Sequence, residues 1–149
     1  MQLREFKVFV VDDDAAIRRL LAKWLENEGY QYETFEGVEE ALEQVPLQLP
    51  HAVLTDWEMP YATGLDLCRA LREYDDSLVI YRMILTGRAN RDELMVAYEA
   101  GAHDFLRKPI DKCEFLARLR RGIANTLETR LPYRDAEWVG RLSPLGTQA

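Results

Sequence analysis

Asp12, Asp13, Asp56, Thr86 and Lys108 are far apart in the chain, yet each follows a short strand-like run. Asp12-Asp13-Asp14 follows VFVV, Asp56 follows AVLT, Thr86 follows MIL, and Lys108-Pro109 follows DFLR. Carboxylates brought to one place repel each other, and a hard divalent cation is the simplest remedy. Mg²⁺ prefers oxygen ligands, keeps several waters, and uses one or two carboxylates together with phosphate oxygens. Mn²⁺ can substitute for it at carboxylate sites. Beside such an ion, the Asp56 carboxylate can attack a phosphoryl donor. Lys108 offers a point charge for the phosphoryl oxygens, so that cation and ammonium stabilise the charge spread over the transferring group. Thr86 has a small hydroxyl able to donate to an acyl phosphate once it forms. Plainer uses exist for some of these residues. Acids at a helix start cap it and offset its dipole, which is the use expected for Asp14. Thr86 before Gly87 also suits a turn.

The elements that must gather these residues alternate between strand and helix five times. Lys7 to Val11 (KVFVV) is a short apolar run, as expected for a strand buried on both faces. From Ala15 to Glu28, the residues Ile17, Leu20, Leu21, Trp24 and Leu25 recur at helical spacing, and Gly29 ends the helix. Tyr30 to Phe35 alternates and is more polar, which suits an edge strand. A short helix from Val38 to Gln44 is expected to stop at Pro46. The next strand, Ala52 to Thr55, runs into Asp56, followed by a loop to Thr63 and a helix from Gly64 through Tyr74. Leu78 to Thr86 holds another strand, interrupted by Arg82. Asp92 to Ala100 reads as helix, Asp104 to Arg107 as a short strand, and Lys112 to about Thr129 as a final helix built on Phe115, Leu116, Leu119 and Ile123. Five strands separated by helices imply an α/β fold: one parallel sheet with helices on both faces and right-handed crossovers. Ligands of such sheets bind outside the carboxyl ends of the strands, where the acids, Thr86 and Lys108 would meet.

Composition narrows the function classes. A chain of 149 residues is long enough to bury one core. No apolar run exceeds five residues, so no membrane span is expected. Met1-Gln2-Leu3-Arg4-Glu5 lacks the apolar stretch of a secretory signal, and a cytoplasmic location is the simplest expectation. A net charge of −7 disfavours unassisted binding to nucleic acid or anionic membrane. Cys68 and Cys113 are distant and read as reduced thiols, while His51 and His103 are isolated and make a shared metal site improbable.

In this order and spacing the residues resemble the response-regulator receiver domain, the phosphoacceptor part of two-component signalling. The matching stretches are VFVVDDD, LTDWEMPYATG, ILTG and AGAHDFLRKPI, within about residues 5–128. The intervals are 43 residues from Asp13 to Asp56, 30 more to Thr86 and 22 more to Lys108. The resemblance implies a flavodoxin-like strand order, 2-1-3-4-5. It implies that Asp56 is phosphorylated, that Asp13 binds the metal directly with Asp12 acting largely through water, and that the backbone carbonyl of Glu58 supplies a third protein ligand. It further implies a cis Pro109 and a switch pair, Thr86 and Phe105, although Phe105 could equally be plain core. Expected partners are a histidine kinase or phosphotransfer protein, docking near Ala16, Arg18, Arg19 and the loop after Lys108. A second receiver or an output module is expected on the face formed by the fourth helix, fifth strand and fifth helix.

Residues 1–129 would form the receiver, and 130–149 a linker or extension that can lead to an output domain. Such a protein is a self-phosphorylating and self-dephosphorylating switch, not an enzyme in the usual sense. Trp57, Glu58 and Arg88 are placed at the pocket rim, with Glu58 and Arg88 expected to pair across the entrance and govern water access to the acyl phosphate. Two rival readings fit less well. A haloacid-dehalogenase-type phosphatase would need Thr or Val where Ala16 stands, and would leave Asp56 unexplained. A degenerate receiver would lack an acid or the lysine, and none is missing.

Overall fold

The computed structural model describes residues 2–74, 80–87 and 90–142, with side chains described up to residue 127. A 3₁₀ turn (Leu3–Glu5) precedes β1 (Lys7–Val11), α1 (Ala15–Glu28), β2 (Gln31–Phe35), α2 (Val38–Gln48), β3 (Ala52–Asp56), α3 (Gly64–Tyr74), β4 (Tyr81–Thr86), α4 (Arg91–Glu99), β5 (Asp104–Arg107) and α5 (Lys112–Leu142). The strands form one sheet in the order β2-β1-β3-β4-β5, and every neighbouring pair is parallel. β1, β3 and β4 are buried almost throughout, whereas β2 keeps an exposed and half-buried edge. The near-continuous apolar runs and the polar alternation of β2 have this cause.

Successive strand residues face opposite sides of the sheet. Val8, Val10, Leu54, Met83 and Leu85 pack with Leu21 and Leu25 of α1 and with Phe115, Leu119 and Ile123 of α5. Phe9, Val11 and Val53 pack on the other face with Ala41 and Val45 of α2 and Leu67 and Leu71 of α3. Helix ends follow local chemistry. Asp14 caps α1 by accepting from the amides of Ala16 and Ile17, and Gly29 closes it with φ +97°.

Several boundaries differ from those expected, α4 by one residue at each end. α2 runs through Pro46 to Gln48. A proline removes one helical hydrogen bond, but the Leu49 amide still bonds the Val45 carbonyl, and buried Val45 holds the last turn on the core. β2 and β4 begin slightly later than expected, at Gln31 and Tyr81, and the expected β4 start at Leu78 lies outside the described residues. α5 continues past Thr129 to Leu142 with Pro132 inside it. The apolar periodicity stops near Leu127, yet Leu131, Arg134, Ala136 and Glu137 favour helix, so backbone propensity continues where the packing pattern ends.

Arg82 does not break β4, because its charge is met inside the fold. Its Nε donates to the Gly101 carbonyl at 2.7 Å, and its amide donates to His103 Nδ1 at 3.0 Å. Burial and the Arg82 guanidinium hold the His103 imidazole down at about 4. On the opposite face, α5 crosses directly over Tyr81, and a Cβ on Gly122 would lie 2.3 Å from the Tyr81 ring. Gly122→Ala is therefore expected to lose about 2 kcal/mol, the overpacking cost exceeding the gain in helix propensity. The measurement is a lower urea midpoint with an unchanged slope, reversed when Tyr81 is shortened to Leu.

Candidate functional site

Register places the chemistry. Val11 of β1 is level with Thr55 of β3, so Asp12 and Asp56 leave the rim side by side. Asp56 is level with Leu85, which puts Thr86 one step further on β4. Thr86 is level with Arg107, so Lys108 emerges one step beyond β5. The Lys108 amide donates to the Thr86 carbonyl at 2.8 Å, and the Lys108–Pro109 peptide is cis, as the resemblance implied. Each central residue therefore sits where a strand stops hydrogen bonding and its side chain can turn to a shared pocket.

Asp12, Asp13 and Asp56 each bring a carboxylate oxygen within 4.8 Å of the others. Their environments differ. Asp12 is fully buried, with Oδ1 accepting from the Asp14 amide at 2.9 Å and Oδ2 from Lys108 Nζ at 3.2 Å. Asp56 is partly buried, with Oδ1 accepting from the Trp57 amide at 2.9 Å and from Lys108 Nζ at 3.2 Å. Asp13 is exposed and makes no hydrogen bond among the described residues. One ammonium thus bridges two acids while a third stands open. Burial pushes the Asp56 carboxyl above its ordinary 3.8, the Asp12 charge adds to the rise, and Lys108 and the Trp57 amide oppose it. Burial draws Lys108 down, but Asp12 and Asp56 together hold it above its ordinary 10.5. The set is all oxygen, short of positive charge and open on the Asp13 side, which suits a hard divalent cation.

Gly64 sets the floor of the site. A Cβ there would lie 2.2 Å from the Asp56 carbonyl oxygen, and the Gly64 amide donates to the Trp57 carbonyl at 2.8 Å. In the sequence, Gly64 marks only the start of a helix. The contact that demands glycine joins positions on two elements and left no sequence signal. The same loop corrects the placement of Trp57. Its amide donates to the Leu85 carbonyl, and its side chain, 7% exposed, packs with Leu65, Cys68, Ile84, Ala97, Ala100 and Ala102. Trp57 is core between α3 and α4, not rim. Residues alternate sides on leaving a strand, so the neighbour of a rim-facing Asp56 turns inward.

Glu58 is exposed beside the site, in keeping with a rim position, while Arg88 lies outside the described residues. Thr86 is buried at the end of β4. Phe105 is half-buried against the Trp57 cluster and meets Tyr98 edge-on at 6.0 Å. Arg18 turns away from the surface expected to dock a kinase. Its Nη1 donates to the Asp12 carbonyl at 2.7 Å, and the side chain is 15% exposed. A concavity of about 680 Å³ lies away from the acid cluster, lined by Tyr81, His103, Arg118 and Arg121 among others.

The family model of the response regulator receiver domain matches residues 8–120. The chain belongs to the response-regulator receiver family. It is 40% identical to the response regulator MprA of Mycolicibacterium vanbaalenii over 114 residues, covering 76% of this chain and 48% of the relative. The MprA of Mycobacterium avium is 38% identical over 133 residues, covering 89% and 56%. The chain thus spans about half the length of the curated relatives it matches. Among solved structures, a putative response regulator from Chloroflexus aurantiacus is 29% identical with TM-score 0.75, covering 80% of this chain and 98% of that one. The chemotaxis protein CheY4 of Vibrio cholerae is 28% identical with TM-score 0.74, covering 78% and 97%. A receiver is the phosphoacceptor switch of two-component signalling, and the acid cluster of this one lies at the carboxyl rim of its sheet. No helix among the described residues is long and apolar enough to cross a membrane.

Proposed function

We propose that Asp56 accepts a phosphoryl group from a histidine kinase or phosphotransfer protein, in a reaction that needs Mg²⁺ or Mn²⁺ held by Asp13, Asp56 and the Glu58 carbonyl, with Asp12 behind them. The observation that carries this reading is the Lys108 ammonium shared at 3.2 Å between Asp12 and Asp56, beside the open Asp13 carboxylate. A bound divalent cation would neutralise phosphoryl oxygens and so relieve the repulsion between them and the carboxylates.

The chain's own residues supply the rest. A carboxylate oxygen of Asp56 forms the new P–O bond while the donor's P–N bond breaks, and the departing imidazole takes a proton. Lys108, already oriented by two carboxylates, offers its charge to a phosphoryl oxygen as Asp56 spends its own charge in the acyl bond. Thr86 and Phe105 respond as the switch pair. α4 suits this role, since Ala97 is its one fully buried side chain while Met95, Val96 and Tyr98 are exposed. A helix so lightly held can repack at small cost. The face of α4, β5 and α5 would meet a second receiver or an output module. Residues 1–129 serve as the switch and 130–149 as the link onward. The protein undergoes one self-modification and its decay, and turns over no separate substrate. It acts in the cytoplasm, without membrane or direct nucleic-acid contact of its own.

Acetyl phosphate and Mg²⁺ test the reading. The expected product is an acyl phosphate that borohydride reduction and peptide mapping locate at Asp56, and that chelation by EDTA prevents. Modification elsewhere, or full modification in EDTA, would reject it.

A further inference from the structure

Asp13 is the acid most open to a cation, yet nothing among the described residues holds its carboxylate. The backbone fixes only where its side chain starts, and the Asp12–Asp13 peptide plane is part of that backbone. Every other polar atom of Asp12 is engaged: the amide with the Phe35 carbonyl at 3.1 Å, and the carboxylate with the Asp14 amide and Lys108. The carbonyl oxygen of that peptide is held by Arg18, at 2.7 Å from Nη1. Nη2 of the same guanidinium reaches Glu36 Oε1 at 3.5 Å, just past the end of β2. The Arg18 amide closes the loop by donating to the Asp14 carbonyl at 3.1 Å. One planar fork therefore spans the carboxyl ends of β1 and β2 and grips the peptide from which the Asp13 side chain starts.

We propose that Arg18 is a positioning residue for the cation site, fixing the Asp12–Asp13 peptide so that the Asp13 side chain starts from a fixed point beside the ion. The inference rests on the metal reading given above and adds a residue to it. Charge and geometry pull in opposite directions here, which makes the claim testable. A second cation near three carboxylates should weaken Mg²⁺ binding through repulsion. A clamp should strengthen it by sparing Asp13 the entropy of ordering. The inward bond is short and charge-assisted, and the Glu36 contact is long and exposed, so the clamp on the Asp12 carbonyl is the dominant effect.

The experiment is Mg²⁺ titration by calorimetry of the full chain as wild type, Arg18→Ala, Arg18→Lys and Lys23→Ala, with urea unfolding in EDTA to report folding independently. Both Arg18 variants are expected to bind Mg²⁺ about tenfold more weakly, the usual cost of losing an outer support. Lys fails like Ala because a point charge on a flexible stem cannot reproduce the fork. Lys23→Ala, whose exposed side chain lies on the same helix, should match wild type. Wild-type affinity in Arg18→Lys, or unchanged or tighter binding in Arg18→Ala, overturns the positioning role while leaving the metal reading intact. If wild type itself binds no Mg²⁺, both fall together.

Discussion

Asp56→Asn is expected to abolish labelling by acetyl phosphate, a loss of at least about 10³-fold, because an amide cannot serve as the oxygen nucleophile. The readout is acyl-phosphate content after Mg²⁺ and donor are added. Full labelling of the variant at another side chain would remove Asp56 from the centre of the chemistry. The same substitution should make the metal-free protein more stable at neutral pH by about 1 kcal/mol, since it deletes the partly buried charge beside fully buried Asp12. The pH dependence has a definite sign. Burial and Asp12 raise the folded-state pKa of Asp56 above 3.8. Its contribution is therefore fully present below the unfolded value and is lost as pH rises through the folded one. Wild type should lose stability over that interval, and Asp56→Asn should not. Saturating Mg²⁺ should reverse the ranking, giving wild type about 2.7 kcal/mol at a hundredfold excess over Kd and the variant much less.

The second large effect falls on Lys108→Ala. Among the described residues, the ammonium pairs with both Asp12, which is fully buried, and Asp56. Removing one partner of a buried pair costs about 3–5 kcal/mol. A side chain 25% exposed lets water repay part of that, leaving about 2–3 kcal/mol as the expected loss. Urea unfolding in EDTA measures it, and the double variant with Asp56→Asn should recover at least half. Phosphoryl uptake should also fall by about 10²-fold, as when one preorganised electrostatic donor is deleted. Near-wild-type stability together with near-wild-type uptake would mean that Lys108 does not bridge the acids in solution. The ammonium stays charged throughout the physiological range, because its two carboxylates hold it above 10.5.

What the amino-acid order revealed most readily was periodic or capped. β1, α1, α3 and β5 have the bounds read from apolar spacing and end residues, because Asp14, Gly29 and the unbroken VFVV run act within a few positions of themselves. α2 starts at Val38 as expected but ends later, because Pro46 is a local stop signal outweighed by the burial of Val45. The end of α5 also lies further on than expected, because the helix continues beyond the apolar stripe.

The site divides along the same line. Residue type and strand-end position identified Asp12, Asp13, Asp56, Thr86 and Lys108, since a parallel sheet sends all its carboxyl ends to one rim. Direction and contact belonged to tertiary structure. Trp57 points into the core and Arg18 toward the acids, and Gly64 leaves room for the Asp56 carbonyl, because each depends on an element distant in the chain. Sequence by itself determined which groups could take part and which end of the sheet they would occupy. Only the folded chain decided which of them touch, because hydrogen-bond geometry between strands is settled by register and packing and not by spacing along the backbone.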